Sequence, residues 1–145
     1  MMVDVNALKN TDMFGDLSET VLAAIAGMAS TVTIEEGDHV YQLGDDANDL
    51  YLLMSGRVRF SIGVGNRPQR GGSIIMPGMV FGWAALLEDK PRRVATASCL
   101  EDSTLGVIPA KALLALFDKQ KDAGYLVMRR LATIIARDFQ SVLSI

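Results

Sequence analysis

One cysteine, Cys99, and one histidine, His39, stand in the whole chain of 145 residues. A lone thiol excludes an internal disulfide and any multi-cysteine zinc or iron–sulfur site. A lone imidazole argues against a zinc centre, a two-histidine iron site and a Ser-His-Asp triad. Positive charge is scarce too: 14 Lys and Arg against 17 Asp and Glu leave a formal charge of −3, the wrong sign for a surface that tracks nucleic acid. No apolar run approaches the roughly 20 residues needed to span a bilayer. The opening MMVDVNALKN lacks the basic start and apolar stretch of an export signal. With no export signal and an unpaired cysteine, the cytoplasm is the expected compartment.

What remains is ordinary globular material, 50% hydrophobic and 21% charged, of a length that fits one domain spanning 1–145. Ser18 reads as an N-cap and Glu19 as a first-turn acid. Val21, Leu22, Ile25, Met28 and Ala29 follow helical spacing, which predicts a helix over about 19–29. The period then changes. Thr31–Glu35, His39–Leu43, Leu50–Met54, Arg57–Ile62, Ser73–Met76, Ala95–Cys99 and Thr104–Ile108 read as short strands separated by Gly, Pro, Asp and Asn. Ser55-Gly56 is a two-residue break of the kind that joins hairpin strands. Gly63–Gly72 reads as a loop, and its Gly-Val-Gly at 63–65 matches no nucleotide fingerprint because no βαβ unit surrounds it.

Many short strands with turn signals predict a closed β-roll or jelly roll over about 31–108. Two C-terminal helices are predicted over about 109–143. Pro109 suits the start of the first, and a polar joint, Asp118–Asp122, precedes the second. In the last helix Met128, Leu131, Ile135, Phe139 and Val142 form one stripe, widened by Ile134 and Leu143. Such a helix spans roughly 33 Å, longer than a small roll needs, so one flank is expected to cover the roll and the other to meet a second copy.

The densest chemistry lies in Pro77–Ala97, PGMVFGWAALLEDKPRRVATA. A turn at Phe81-Gly82 runs into a short apolar helical segment, Trp83–Leu87, followed by a charged loop with Arg92 and Arg93. A helix start presents amides without intrahelical acceptors and partial positive charge. Gly82 lets a ligand approach closely, and an arginine adds a forked cationic donor. These parts suit one phosphate-sized anion. On the residues alone, each has a plainer reading. Arg93 fits a solvated charge and Trp83 fits a packing aromatic. Glu88 and Asp89 fit a solvated loop that pairs with Lys90 or Arg92. His39 fits a strand-end surface residue, and Cys99 a small core residue.

The segments FGDLSETVLAAIA, IEEGDHVYQLGD, LYLLMSGRVRF, FGWAALLEDKPRRVATA and EDSTLGVIP, in this order, carry a resemblance. Over roughly Met13 to Ser141 the chain resembles the cyclic-nucleotide-binding domain shared by catabolite-activator-type bacterial regulators and the regulatory subunits of cyclic-AMP-dependent protein kinase. The resemblance implies a non-enzymatic β-roll with an N-terminal helix and two C-terminal helices. It implies no metal or fixed cofactor, and cyclic AMP, cyclic GMP or a related small anion as ligand. Phe81 and Gly82 would form the turn, and Ala84 and Ala85 the amide-donating helix start. Arg93 would pair with the cyclic phosphate, since RVATA fits the family's Arg-x-Ala-Thr pattern, and Val94 would offer its backbone N–H. Removing the Arg93 side chain would then abolish ligand binding and leave the free protein nearly unchanged.

Two positions depart from the family's pattern. Trp83 stands where the family has a glutamate that accepts from the ribose 2′-hydroxyl, and an indole is donor-only. Ile134 and Ile135 stand where bacterial members place hydroxyl side chains against the base. The implied function is a regulatory sensor, or the sensing part of a transcription regulator, dimeric through its last helix and signalling to an effector protein. The alternative is a domain that has lost its ligand, with Trp83 as a plug and the helices as an interaction module.

Overall fold

A computed structural model describes residues 2–62 and 73–143. Eight strands make two four-stranded antiparallel sheets. The first is ordered β1 (Ser30–Ile34), β8 (Ser103–Pro109), β3 (Asp49–Ser55) and β6 (Val80–Phe81). The second is ordered β2 (His39–Tyr41), β7 (Thr96–Cys99), β4 (Val58–Ser61) and β5 (Ser73–Ile75). Alternate residues face inward, which is the period-2 consequence of a pleated strand. Leu50, Leu52, Val58, Phe60, Ala97, Cys99 and Ile108 accordingly are buried, and Leu53 with its register partner Leu105 is buried on the opposite face of the first sheet. This is the jelly-roll class that the turn spacing predicts.

Four helices flank the roll: α1 (Val5–Lys9), α2 (Glu19–Met28), α3 (Ala110–Lys119) and α4 (Lys121–Leu143). Ser18 caps α2, its Oγ accepting from Val21 N–H at 3.3 Å. α1 had no sequence expectation, although Asp4 caps it by accepting from Ala7 N–H at 2.8 Å. The N-terminal segment is built into the core through Leu8, Met13 and Phe14, all buried. Pro109, expected at the first helical position, instead ends β8 in extended backbone and stands as the N-cap, so α3 begins one residue later at Ala110. The five-residue polar joint expected at Asp118–Asp122 shrinks to Gln120, whose backbone at φ −113° and ψ 71° turns α3 directly into α4.

The hairpin expected at Ser55-Gly56 does not form. β3 pairs with β8 and β6, whereas β4 pairs with β7 and β5, so the break is a corner where the chain passes between sheets. Gly56 is required there by its φ of +103° and by crowding. A Cβ would lie 2.2 Å from Ser103 Oγ and 2.7 Å from Ser103 Cα. The loop read at Gly63–Gly72 and the side chain of Val142 lie outside the described residues. Among the described residues no helix is long and apolar enough to cross a membrane.

The stripe expected on α4 divides into two faces. Ala123, Val127, Leu131, Ile134 and Asp138 are buried, Met128 and Ile135 are half-buried, and Tyr125, Leu126, Phe139 and Leu143 are exposed. Replacing Gly56 with alanine is expected to destabilise the fold by about 2–4 kcal/mol, from a disfavoured φ plus overlap with backbone. Thermal unfolding checks this, and the midpoint should fall by several degrees.

Candidate ligand-binding site

The site is organised around Arg93, whose side chain is only 4% exposed. Its neighbour Arg92 points outward, donating to Gly44 O at 3.2 Å and lying 3.6 Å from Asp46. That pairing replaces the expected one with Glu88 or Asp89. The alternation follows from the bridge between Asp46 and Arg92, which sends successive side chains to opposite sides. Backbone bonds from Arg93 N to Asp45 O at 2.8 Å and from Gly44 N to Arg93 O at 2.9 Å hold the segment in place.

Inside, the guanidinium lies over the Tyr41 ring, with Cζ 4.1 Å from the centroid, and beside Tyr51 at 5.6 Å. Nη1 donates to Gly82 O and Nη2 to Asp49 O, both at 2.8 Å. Nε is buried and has no hydrogen-bond partner among the described residues. No carboxylate among the described residues approaches Arg93 within 4.0 Å. The two phenols do not compensate its charge either. Burial pushes the Tyr41 hydroxyl well above its ordinary value despite the lowering pull of Arg93. Burial likewise raises that of Tyr51. Both stay neutral at physiological pH.

Gly82 makes this possible. Its φ is +80°, and a Cβ would meet Tyr51 Cδ2 at 3.0 Å, Arg93 Nη1 at 3.1 Å and Asp49 O at 3.3 Å. A side chain would therefore push the guanidinium away from the carbonyl it holds. Phe81 is buried and stacks on Tyr51 with centroids 5.5 Å apart. After Gly82 the chain turns through one 3₁₀ helix, Trp83–Leu86. Its first free amides are those of Trp83 and Ala84, because Ala85 N–H already donates to Gly82 O at 3.3 Å. Ala84 and Ala85 are buried, whereas the Val94 side chain is exposed.

Trp83 is neither solvated nor open. Its indole lies 6.4 Å from the Phe60 ring, and Nε1 donates to Asp138 Oδ2 of α4 at 2.9 Å. Ile134, one turn earlier on α4, is buried, and Ile135 is half-buried against the core. The structure thus gathers Phe81, Gly82 and Arg93 with Tyr41 and Tyr51 into one enclosure, and Trp83 borders it through the Gly82 peptide while its indole faces Phe60 and Asp138. A separate groove of about 690 Å³ lies outside it, between the 46–49 turn, the 88–92 loop and the start of α3. It takes only Ala85 from the expected set and mixes Asp46, Asp49, Glu88 and Asp89 with Lys90, Arg92 and Lys111. Cys99 is a buried thiol that burial keeps protonated, and His39 Nδ1 meets Ser98 Oγ at 2.8 Å on the exposed face. Neither joins the site.

A family model for the cyclic nucleotide-binding domain matches residues 31–120. The chain belongs to the cyclic nucleotide-binding domain family. The cyclic AMP receptor protein of Thermus thermophilus is 34% identical over 103 residues, 70% of this chain and 45% of that protein. The Pycsar effector protein BcPycTIR of Burkholderia cepacia is 29% identical over 133 residues, 92% of this chain and 41% of its own. The chain spans less than half the length of these curated relatives. Among solved structures, a putative cyclic nucleotide-binding protein from Geobacter metallireducens superposes with a TM-score of 0.81 at 18% identity. The match covers 95% of this chain and 99% of that one. The Thermus thermophilus catabolite activator protein gives 0.74 at 27% identity, covering 90% and 59%. What the chain shares with these proteins is a regulatory ligand-binding domain.

Sequence reasoning missed four members of the site: Tyr41, Tyr51, Asp49 and Asp138. For Asp138 a signal existed, since it falls on the same helical face as Val127, Leu131 and Ile134, and a carboxylate on an apolar stripe demands a partner. Asp49 acts through its backbone carbonyl, which no residue type announces. Contrary to the expectation from the resemblance, removing Arg93 will disturb the free protein. Arg93→Ala strips donors from two carbonyls and is expected to cost about 2–4 kcal/mol in denaturant unfolding without ligand.

Proposed function

We propose that the chain is a sensor domain that binds a cyclic nucleotide between the Phe81–Ala85 turn and Arg93 and signals through α3 and α4. One observation supports this above the others: a buried guanidinium faces only neutral carbonyls and phenols, with Nε unpartnered. Burying a cation without a counter-charge is costly, and an anion in the enclosure offsets that cost. A guanidinium has five N–H donors, and two are engaged here, so donors remain for a phosphate. Cyclic AMP is the first ligand to try, because the regulatory domain of Toxoplasma gondii PKA was solved with cAMP. That structure superposes with a TM-score of 0.70 at 26% identity over 77% of this chain and 42% of its own.

The outward side of α4, in which Tyr125, Ala132 and Phe139 are exposed and Met128 and Ile135 half-buried, supports a homodimer. Tyr125, Met128, Ala132, Ile135 and Phe139 repeat at alternating spacings of three and four, the seam of a two-helix contact, and Tyr125 and Phe139 are 62% and 63% exposed. A further partner is the effector protein or domain that reads the helices. A second reading, a ligand-free interaction module, draws on the Trp83 indole. That ring is buried against Phe60 and bonded to Asp138, so it is already engaged within the protein.

A thermal melt with cyclic AMP, cyclic GMP and cyclic di-GMP separates the two. Ligand at a hundred times its dissociation constant should stabilise the domain by about 2.7 kcal/mol, a rise of several degrees. Arg93→Lys, which keeps the charge but not the fork, should lose most of that rise. No rise with any ligand supports the interaction module. For the dimer, Phe139→Glu should halve the mass measured by sedimentation at micromolar concentration and leave the helical content unchanged.

A further inference from the structure

We propose that Trp83 and Asp138 form a latch that closes α4 over the ligand enclosure, and that ligand in the enclosure opens it. The closed latch stands on the geometry alone. Its opening rests on the ligand-binding reading above.

α4 is fastened in two different ways along its length. Ala123, Val127, Leu131 and Ile134 bury apolar surface. Among the described side chains, nothing apolar beyond Ile134 is fully buried on this helix. The last anchor is Asp138, 7% exposed, and it holds by hydrogen bonding. An apolar anchor holds α4 whatever else is bound, whereas a carboxylate can exchange one donor for another. A buried carboxylate is also a costly choice where leucine would pack, unless its partner matters.

The partner belongs to the enclosure itself. Trp83 directly follows Gly82, whose carbonyl oxygen accepts from Arg93 Nη1. A ligand that draws on Arg93 or on the first amides of the 3₁₀ turn therefore pulls on the peptide that carries the indole. Asp138 Oδ1 is weakly engaged among the described residues, with Ser73 Oγ donating at 3.5 Å and Arg137 Nε 3.6 Å away. Arg137 adds a second tie. Its Nη1 lies 3.4 Å from Asp12 Oδ2, while Asp12 Oδ1 accepts from Val80 N–H at 3.0 Å. Consecutive residues of α4 thus reach the two ends of Val80–Trp83, which is the segment that a ligand would touch.

Trp83 is the sole tryptophan of the chain, so its emission reports the latch directly. Asp138→Ala should shift that emission to the red. It should also speed hydrogen exchange over residues 134–143 by about ten- to a hundred-fold, the equivalent of one lost charged hydrogen bond, with β3 and β8 unchanged. Alanine favours helix more than aspartate, so faster exchange cannot come from lost propensity. Asp138→Asn keeps an acceptor oxygen and should retain most of the protection. Trp83→Phe keeps a ring without the N–H and should loosen residues 134–143 as Asp138→Ala does, the double variant being no looser. It serves if Asp138→Ala fails to fold. Wild-type exchange rates in both single variants overturn the latch.

Cyclic AMP, with its binding read separately by calorimetry, tests the opening. Heat of binding with a red-shifted emission supports it. Heat of binding with unchanged emission overturns it and leaves the sensor reading standing. No heat removes the opening together with that reading, and the alanine and phenylalanine variants still decide the latch.

Discussion

A guanidinium does not shed its proton at neutral pH, so a fold that buries one must surround it with acceptors. Arg93 imposes that condition here. Gly82 O and Asp49 O supply two acceptors, the Tyr41 face supplies a third contact, and each comes from a different element of the first or second sheet or the turn after it. The αL conformation of Gly82 follows from the same requirement, since its carbonyl must aim inward while no side chain occupies the guanidinium's place. The two carbonyls are satisfied by the arginine as much as it is by them. The charge itself is left without a counter-charge among the described residues, and that imbalance is what the proposed anion site rests on.

The periodic features were legible before any coordinates. Short strands broken by Gly, Pro and Asp gave the roll, and Ser18 gave the start of α2, because burial period and capping are local properties. Strand partners were not local. Ser55-Gly56 has the composition of a hairpin turn, yet which sheet each flanking strand joins is decided by β7 and β8, more than forty residues onward. In the site, Arg93 could be picked over Arg92 because Ala95 and Thr96 follow it at the family's spacing. Its inward fold could not be seen, since the residues that hold it do so through two backbone carbonyls and two tyrosines ten positions apart. Trp83 read as a packing aromatic from its type alone. Its bond to Asp138 crosses 55 positions and shows in the sequence only as a carboxylate out of place on an apolar stripe.

α4 carries two apolar faces with opposite fates. Leu131 and Ile134 cover the roll, while Tyr125 and Phe139 stay in water. The polar residues between them are ordered as well: Arg130 pairs with Asp16 and Arg137 with Asp12, both carboxylates lying just before α2. The N-terminal segment and the last helix are therefore joined by charge on the same side, with Asp12 also bonded to the β6 backbone.

The position of β8 sets the order in which the molecule can assemble. Among the described residues β1 pairs with β8 alone, register Ser30 with Val107, and β3 borders the same strand. On the ribosome, the first sheet is missing its middle until residues 103–109 emerge, and the early strands wait with open edges. Closure over so long a loop is slow compared with helix formation, so this domain is expected to fold in milliseconds to seconds rather than microseconds. Its window of vulnerability to edge-to-edge association ends when that one strand slides into place.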